Sequence, residues 1–321
     1  MKELQNWFKE KNIILTHGDS DGICSGAIAK TAYPDAYVYF TSPVSLLDKL
    51  RFIDEVETLI ICDIAIDERY CSELYSVLNK FAEKCDLYYI DHHPFPKDYK
   101  KEDWFYHDTE VCSSELTYRV FEDRLNRDMR RVAIYGAIGD FSDNTPHIKK
   151  WVRDWDKRGL YFQAGALIQA IIHKGREYEF KRKLLEPLSN DIIPSNIPGL
   201  LELARDAAIN EEMVRVFVKE NVKVLKNSAY IVNPNNSISK AAIYAASYGR
   251  REVGIAAEYR DRKGVYDLSI RSRGEVDVNR LLRSVAPKFG GNGGGHPLAA
   301  GARIPEKFLN AFLRTFDKKL G

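Results

Sequence analysis

Three short apolar runs in the first hundred residues each end on an acidic or imidazole side chain. Asn12–Thr16 (NIILT) runs into His17-Gly18-Asp19-Ser20-Asp21-Gly22. Thr58–Cys62 (TLIIC) runs into Asp63, and Leu87–Ile90 (LYYI) into Asp91-His92-His93. Runs of four or five residues that are apolar almost throughout lack the alternation of a half-exposed strand, so they read as strands buried on both faces. Ala36–Phe40 (AYVYF) reads as a further strand. A small-residue helix at Ile23–Ala32 and helical patterns near 66–84 and 113–125 alternate with these runs. Strands alternating with helices predict an α/β fold with a mostly parallel sheet covered on both faces. Such sheets bind ligands beyond the carboxyl ends of their strands, where the acidic and imidazole residues stand.

The remainder of the chain has a different texture. Residues 159–183 read as helical, with Lys and Arg along one face. Pro187, Pro194 and Pro198 then interrupt the pattern. The expected organisation is a first domain over 1–185, a helical connector over 186–213 and a smaller α/β domain over 214–321. In the last of these, strands are expected at Val214–Phe217, Ala229–Val232, Val253–Tyr259 and Tyr266–Arg271. A helix at 276–286 leads to a Gly-rich loop, Gly290–Gly295.

Composition excludes several classes. With 321 residues, 45% hydrophobic and 29% charged, the chain has the balance of a globular protein of about two domains. The apolar stretches Thr58–Ile66 and Leu160–Ile172 are too short or too interrupted to span a bilayer. Met1–Phe8 shows no apolar signal core. Five cysteines (Cys24, Cys62, Cys71, Cys85 and Cys112) without a CxxC spacing imply neither a disulfide framework nor a thiolate zinc site, which suits the cytoplasm. The net charge is only +2. Few Met and many Tyr, Glu, Lys and Arg lean toward a thermophile.

The chemistry sits in the strand-end residues. Gly136-Ala137-Ile138-Gly139-Asp140 follows another apolar run, Val132–Ile134, and adds a carboxylate to the expected sheet edge. A lone Asp after a strand is usually a cap or turn residue. Five Asp and three His gathered together are different: so many carboxylates repel one another and resist burial unless cations join them. Oxygen and imidazole ligands without thiolates suit manganese or magnesium and admit zinc or cobalt. A carboxylate shared by two ions gives the two-metal clamp of phosphoester hydrolysis.

These motifs, in this order, resemble the DHH phosphoesterases over nearly the whole chain, with Asp91-His92-His93 as the naming triplet. His17–Gly22 resembles the family's first motif, Asp63 the second and Asp140 the fourth. Gly290–Gly295 with His296-Pro297-Leu298-Ala299-Ala300-Gly301 resembles the signature of the DHH-associated C-terminal domain. The resemblance implies two divalent ions, with manganese preferred and magnesium or cobalt admitted. One is held by His17, Asp19 and Asp63, the other by Asp21, Asp63, His92 and Asp140. Asp143 is the alternative in the fourth motif. Asp91 is implied to lie behind the metals and orient His92 or His93, and His93 to lie near the scissile phosphate as a donor or leaving-group acid. The active site is implied to lie in the cleft between the two domains.

The C-terminal domain is expected to hold substrate. Between 240 and 290 there are eleven basic and six acidic residues, a local excess suited to a phosphate backbone. The resemblance assigns substrate contacts to Arg271 and Arg273 at a strand end, and His296 would add a donor. The backbone N–H groups of Gly293, Gly294 and Gly295 can cradle a phosphate. By resemblance to archaeal RecJ-like proteins, including the Hef-associated nuclease branch, the expected activity is a 3′→5′ exonuclease on single-stranded DNA or RNA. The expected partners are that strand, and a repair helicase or replication proteins, with no membrane. A homo-oligomer is admitted. The alternatives are an oligoribonuclease, a 3′-phosphoadenosine 5′-phosphate phosphatase or a cyclic-dinucleotide phosphodiesterase, and, in another class, a weakly catalytic subunit of a replication or repair complex.

Overall fold

The computed structural model describes residues 10–95, 102–234 and 237–321. Met1–Phe8, expected to carry no signal core, lie outside the described residues. The chain divides into two units, Met1–Ala207 and Ala208–Gly321.

In the N-terminal unit five described strands form a wholly parallel sheet: β1 (Asn12–Thr16), β2 (Tyr37–Phe40), β3 (Thr58–Cys62), β4 (Asp86–Asp91) and β5 (Phe105–His107), in the order β2-β1-β3-β4-β5. Side chains alternate across a strand, and here both faces are buried. Ile14, Ile60 and Ile90 enter one core, while Ile13, Leu15, Leu59, Ile61 and Tyr89 enter the other. That two-sided burial is why these runs are apolar without alternation.

The first core is closed by α1 (Ser20–Ala32), and α2 (Pro43–Leu50) and α3 (Cys71–Ala82) serve the second. Helices α4 (Ser113–Val120), α5 (Arg130–Gly139), α6 (Pro146–Trp151), α7 (Lys157–Lys174) and α8 (Tyr178–Ser189) join α1 on the first core. Among the described residues no helix is long and apolar enough to cross a membrane.

The C-terminal unit holds a mixed sheet with the order β10-β11-β9-β8-β7-β6. Its strands are β6 (Lys223–Val224), β7 (Ser228–Val232), β8 (Val253–Arg260), β9 (Val265–Ser272), β10 (Asn292–His296) and β11 (Ala299–Pro305). Only β7 and β8 pair in parallel. Helices α10 (Ile238–Tyr248), α11 (Val278–Val285) and α12 (Leu309–Lys319) pack on it. The α/β class with a parallel first sheet and a smaller second domain is as expected.

Several local expectations are corrected. Val214–Phe217 is not a strand but part of the long α9 (Leu200–Asn221). Val214 and Val218, four residues apart, are buried, while Val216 is exposed. The β-branched run therefore follows a helical period. That helix crosses the boundary between the units, and Leu188, Ile197 and Leu200 pack into the first core. The helix expected over 159–183 breaks into α7 and α8 at Gly175, whose φ is 55°. Pro187 lies inside α8 rather than ending it. Gly290–Gly295 is not a loop: Asn292–His296 forms β10, paired antiparallel with β11.

Candidate metal centre

The site is built at the carboxyl ends of β1, β3 and β4. Asp19 caps α1, its Oδ1 accepting from the Gly22 N–H at 3.0 Å. Thr16 Oγ1 donates to the Gly22 carbonyl at 2.5 Å. A Cβ on Gly22 would stand 2.4 Å from the His17 carbonyl oxygen, so only glycine allows this turn. Asp63 ends β3, its N–H donating to the Ile90 carbonyl at 2.9 Å. Its φ of 57° is a left-handed conformation that Asp tolerates better than most residues.

Asp21 points toward α4. Ser113 N–H donates to its Oδ2 at 2.8 Å and Ser114 N–H to its Oδ1 at 2.9 Å. A carboxylate on the first N–H groups of a helix is stabilised by both the hydrogen bonds and the helix dipole. Gly136 on α5 makes room for the pair, because a Cβ there would stand 2.2 Å from Ser114 Oγ and 2.8 Å from Asp21 Oδ1.

Among the described residues, two of the groupings of ligand-type atoms bear on the expected ions. His17, Asp19 and Asp63 form one and Asp21, Asp63 and His92 another, while Asp63 also groups with Asp91 and His93. His17 Nδ1 is 2.8 Å from Asp19 Oδ2 and 3.8 Å from Asp63 Oδ2. His92 Nε2 is 3.4 Å from Asp63 Oδ1, and His92 Nδ1 is 3.8 Å from Asp140 Oδ2. The resemblance assigned these two sets to the two ions, with Asp63 in both; Asp140, which it added to the second, belongs to none of the groupings. Asp143 is engaged elsewhere, accepting from Tyr161 Oη at 2.6 Å. Asp140 does not stand at a sheet edge. It caps the C-terminus of α5, because Val132–Ile134 is buried as one side of a helix rather than as a strand.

The electrostatics fit a divalent cation. Asp63 is 2% exposed and its Oδ2 has no hydrogen-bond partner, a costly state for a carboxylate. Burial, reinforced by the charges of Asp19, Asp21 and Asp91, holds its carboxyl well above the usual range. Burial and the charges of Asp21 and Asp19 push Asp140 up to about 8. Burial lowers His92, leaving its ring neutral and able to ligate. Without a cation the cluster must hold protons; with one, the same carboxylates become ligands.

Behind this pair lies Asp91, 1% exposed, whose Oδ1 accepts from His93 Nδ1 at 2.8 Å. Burial opposes the charged imidazole, but the Asp91 bond and charge prevail and raise His93. His107 lies on β5 and its Nε2 donates to the His93 carbonyl at 2.6 Å.

In the C-terminal unit, Arg271 lies on β9 and donates to Ser239 Oγ at 2.6 Å; Arg273 follows the strand. Gly293, Gly294, Gly295 and His296 all lie on β10. Gly295 N–H already donates to Asn279 Oδ1 at 3.1 Å. A loop cradle of three free N–H groups is therefore not the arrangement present.

Residues 216–321 match the DHHA1 domain. Over 306 residues the chain is 24% identical to the bifunctional oligoribonuclease and PAP phosphatase NrnA of Bacillus subtilis (strain 168), covering 86% of this chain and 82% of that protein. A solved DHH domain, described as a member of the s1p family of ribosomal proteins, superposes with a TM-score of 0.73 at 18% identity, over 97% of this chain and 86% of that one. Exonuclease RecJ bound to manganese superposes with a TM-score of 0.63 at 16% identity, over 99% and 92%. The family match covers the C-terminal third of the chain. The structural likenesses, at such identities, speak for the fold.

Proposed function

We propose that the protein is a manganese-preferring phosphodiesterase that hydrolyses single-stranded DNA or RNA from its 3′ end. The observation that carries this reading is the orphaned Oδ2 of Asp63, a carboxylate common to both ligand groupings. His17, Asp19 and Asp63 would hold one divalent ion, and Asp21, Asp63, His92 and Asp140 the other. Such a pair supplies charge neutralisation at phosphate and activation of water.

The protein's own groups do the rest. Asp91 fixes the His93 ring through Nδ1 and favours its protonated form, so that Nε2 carries a proton for the departing oxygen. Ser113 and Ser114 hold Asp21 in place. The basic C-terminal unit, through Arg271, Arg273 and His296, binds the substrate's phosphates.

A second reading is favoured by the similarity to NrnA: hydrolysis of short oligoribonucleotides or of 3′-phosphoadenosine 5′-phosphate. A single-strand substrate of about twenty nucleotides, labelled at its 5′ end and digested with manganese beside a dinucleotide, separates the two. A descending ladder supports the 3′→5′ exonuclease. Cleavage of the dinucleotide alone, or of 3′-phosphoadenosine 5′-phosphate in a parallel digest, establishes the second reading, and cleavage of none of the three rejects both.

A further inference from the structure

Lys181, on α8, is 6% exposed, and among the described residues its ammonium makes no hydrogen bond or ion pair. The stem is buried while Nζ reaches solvent, so the ammonium is held in one place and open to an arriving anion. Its Nζ lies 5.3 Å from the centre of the Tyr178 ring, on the preceding turn of the same helix. Both side chains abut Gly18. A Cβ there would stand 3.1 Å from Tyr178 Cε1 and 3.2 Å from Lys181 Nζ. Gly18 joins His17 to Asp19, so the free ammonium sits beside the loop that carries two of the metal-type ligands, within the field of Asp19.

The aromatic ring adds a second element. Tyr178 is 44% exposed and stacks on Phe40, with ring centres 5.9 Å apart and planes inclined by 26°. A supported, exposed ring next to an ammonium on a buried stem offers a base a partner for stacking and a phosphate a counter-charge at once.

We propose that Lys181 and Tyr178 form a nucleotide subsite of the N-terminal unit, Lys181 binding a non-bridging phosphate oxygen and Tyr178 stacking the adjacent base. The inference rests on the phosphodiesterase reading. It deepens that reading by naming what the unit recognises: one charged phosphate and one base, without choice of sequence. A lone ammonium carries no planar code, and every base has a π-face.

The test is binding of a labelled five-nucleotide single strand, read by anisotropy in EDTA, with KM and kcat measured separately in manganese. The variants are K181M, K181R, Y178A and Y178F. K181M keeps the buried stem, and unchanged manganese binding shows that it folds. K181M is expected to weaken binding and raise KM about tenfold while kcat changes less than about threefold. K181R recovers most of the loss. Y178A costs about fivefold or more, and Y178F little. Replacing one linkage at a time by neutral methylphosphonate should identify one position where the unaltered protein loses affinity and K181M loses no more. Binding by K181M within twofold of the unaltered protein, or equal sensitivity of both at every linkage, overturns the subsite even if hydrolysis is normal. If the unaltered protein neither binds nor hydrolyses the strand, the phosphodiesterase reading fails and the subsite with it.

Discussion

Ser113 and Asp21 stand 92 residues apart in the chain, yet the Ser113 N–H donates to Asp21 Oδ2 at 2.8 Å. With Ser114 doing the same at Oδ1, the first turn of α4 fixes a carboxylate that faces Asp63 and His92. The metal-type cluster is thus held from its own strand ends and from a helix N-terminus behind it.

Removing that carboxylate leaves two buried N–H groups unpaired. Asp21→Ala is therefore expected to lower the stability of the metal-free protein by about 2–4 kcal/mol, as well as to abolish manganese-dependent hydrolysis. Urea unfolding in EDTA checks the first part. A loss below about 1 kcal/mol would show that Asp21 is not held as described.

Asp63→Asn separates charge from backbone. Asn also accepts a left-handed φ, so the fold should persist. Repulsion from Asp19, Asp21 and Asp91 is relieved, so melting of the metal-free variant at pH 8 should rise while hydrolysis falls more than about a thousandfold. A drop in the melting temperature would place the cost at the turn and not in the charges.

The pH dependence has a defined sign. Asp140 titrates at about 8 in the fold and near 3.9 when unfolded. A carboxyl raised on folding contributes stability that is fully present below its unfolded value and is lost as pH rises through the folded one. Metal-free protein should therefore melt progressively lower from about pH 4.5 to 8 and level off above that. D140N should flatten that slope and manganese should remove it. A melting temperature that rises over this range in EDTA contradicts the electrostatic account of the cluster.

Two glycines give a matched pair. A Cβ at Gly136 would collide with Ser114 Oγ and crowd Asp21, whereas one at Gly165 in α7 would meet nothing within 4 Å. Gly136→Ala should destabilise by about 1–3 kcal/mol and depress hydrolysis through Asp21. Gly165→Ala should stabilise by about 0.5–1 kcal/mol. Comparison of the two chevron or urea midpoints checks both.

Sequence showed the parts of this site that rest on strong local patterns. β1, β3 and β4 are apolar at nearly every position because both faces are buried, so their ends, and with them His17, Asp63 and Asp91, could be located. Asp140 was expected at a strand end but follows a helix, since three apolar residues do not distinguish a strand from a buried helix turn. Val214–Phe217 misled for the converse reason: β-branched residues served a helix whose partners are distant in sequence. The β10 glycines read as a loop because glycine carries no side-chain pattern, and their pairing is visible only with β11 in place. Ser113 and Gly136 act through backbone groups and close approach, which residue type alone does not signal. Within the stretch read as helical with Lys and Arg along one face, only packing shows that the Lys181 stem turns inward beside Gly18.

Calorimetric titration of manganese into the metal-free protein, with Asp63→Asn beside it, tests the central claim most directly. The account predicts two ions per unaltered chain. It predicts that the variant loses more than about a hundredfold in affinity at both sites, beyond what loss of a merely supporting residue costs. A single ion per chain, or two ions bound equally well without the Asp63 charge, would contradict a centre built around one shared carboxylate.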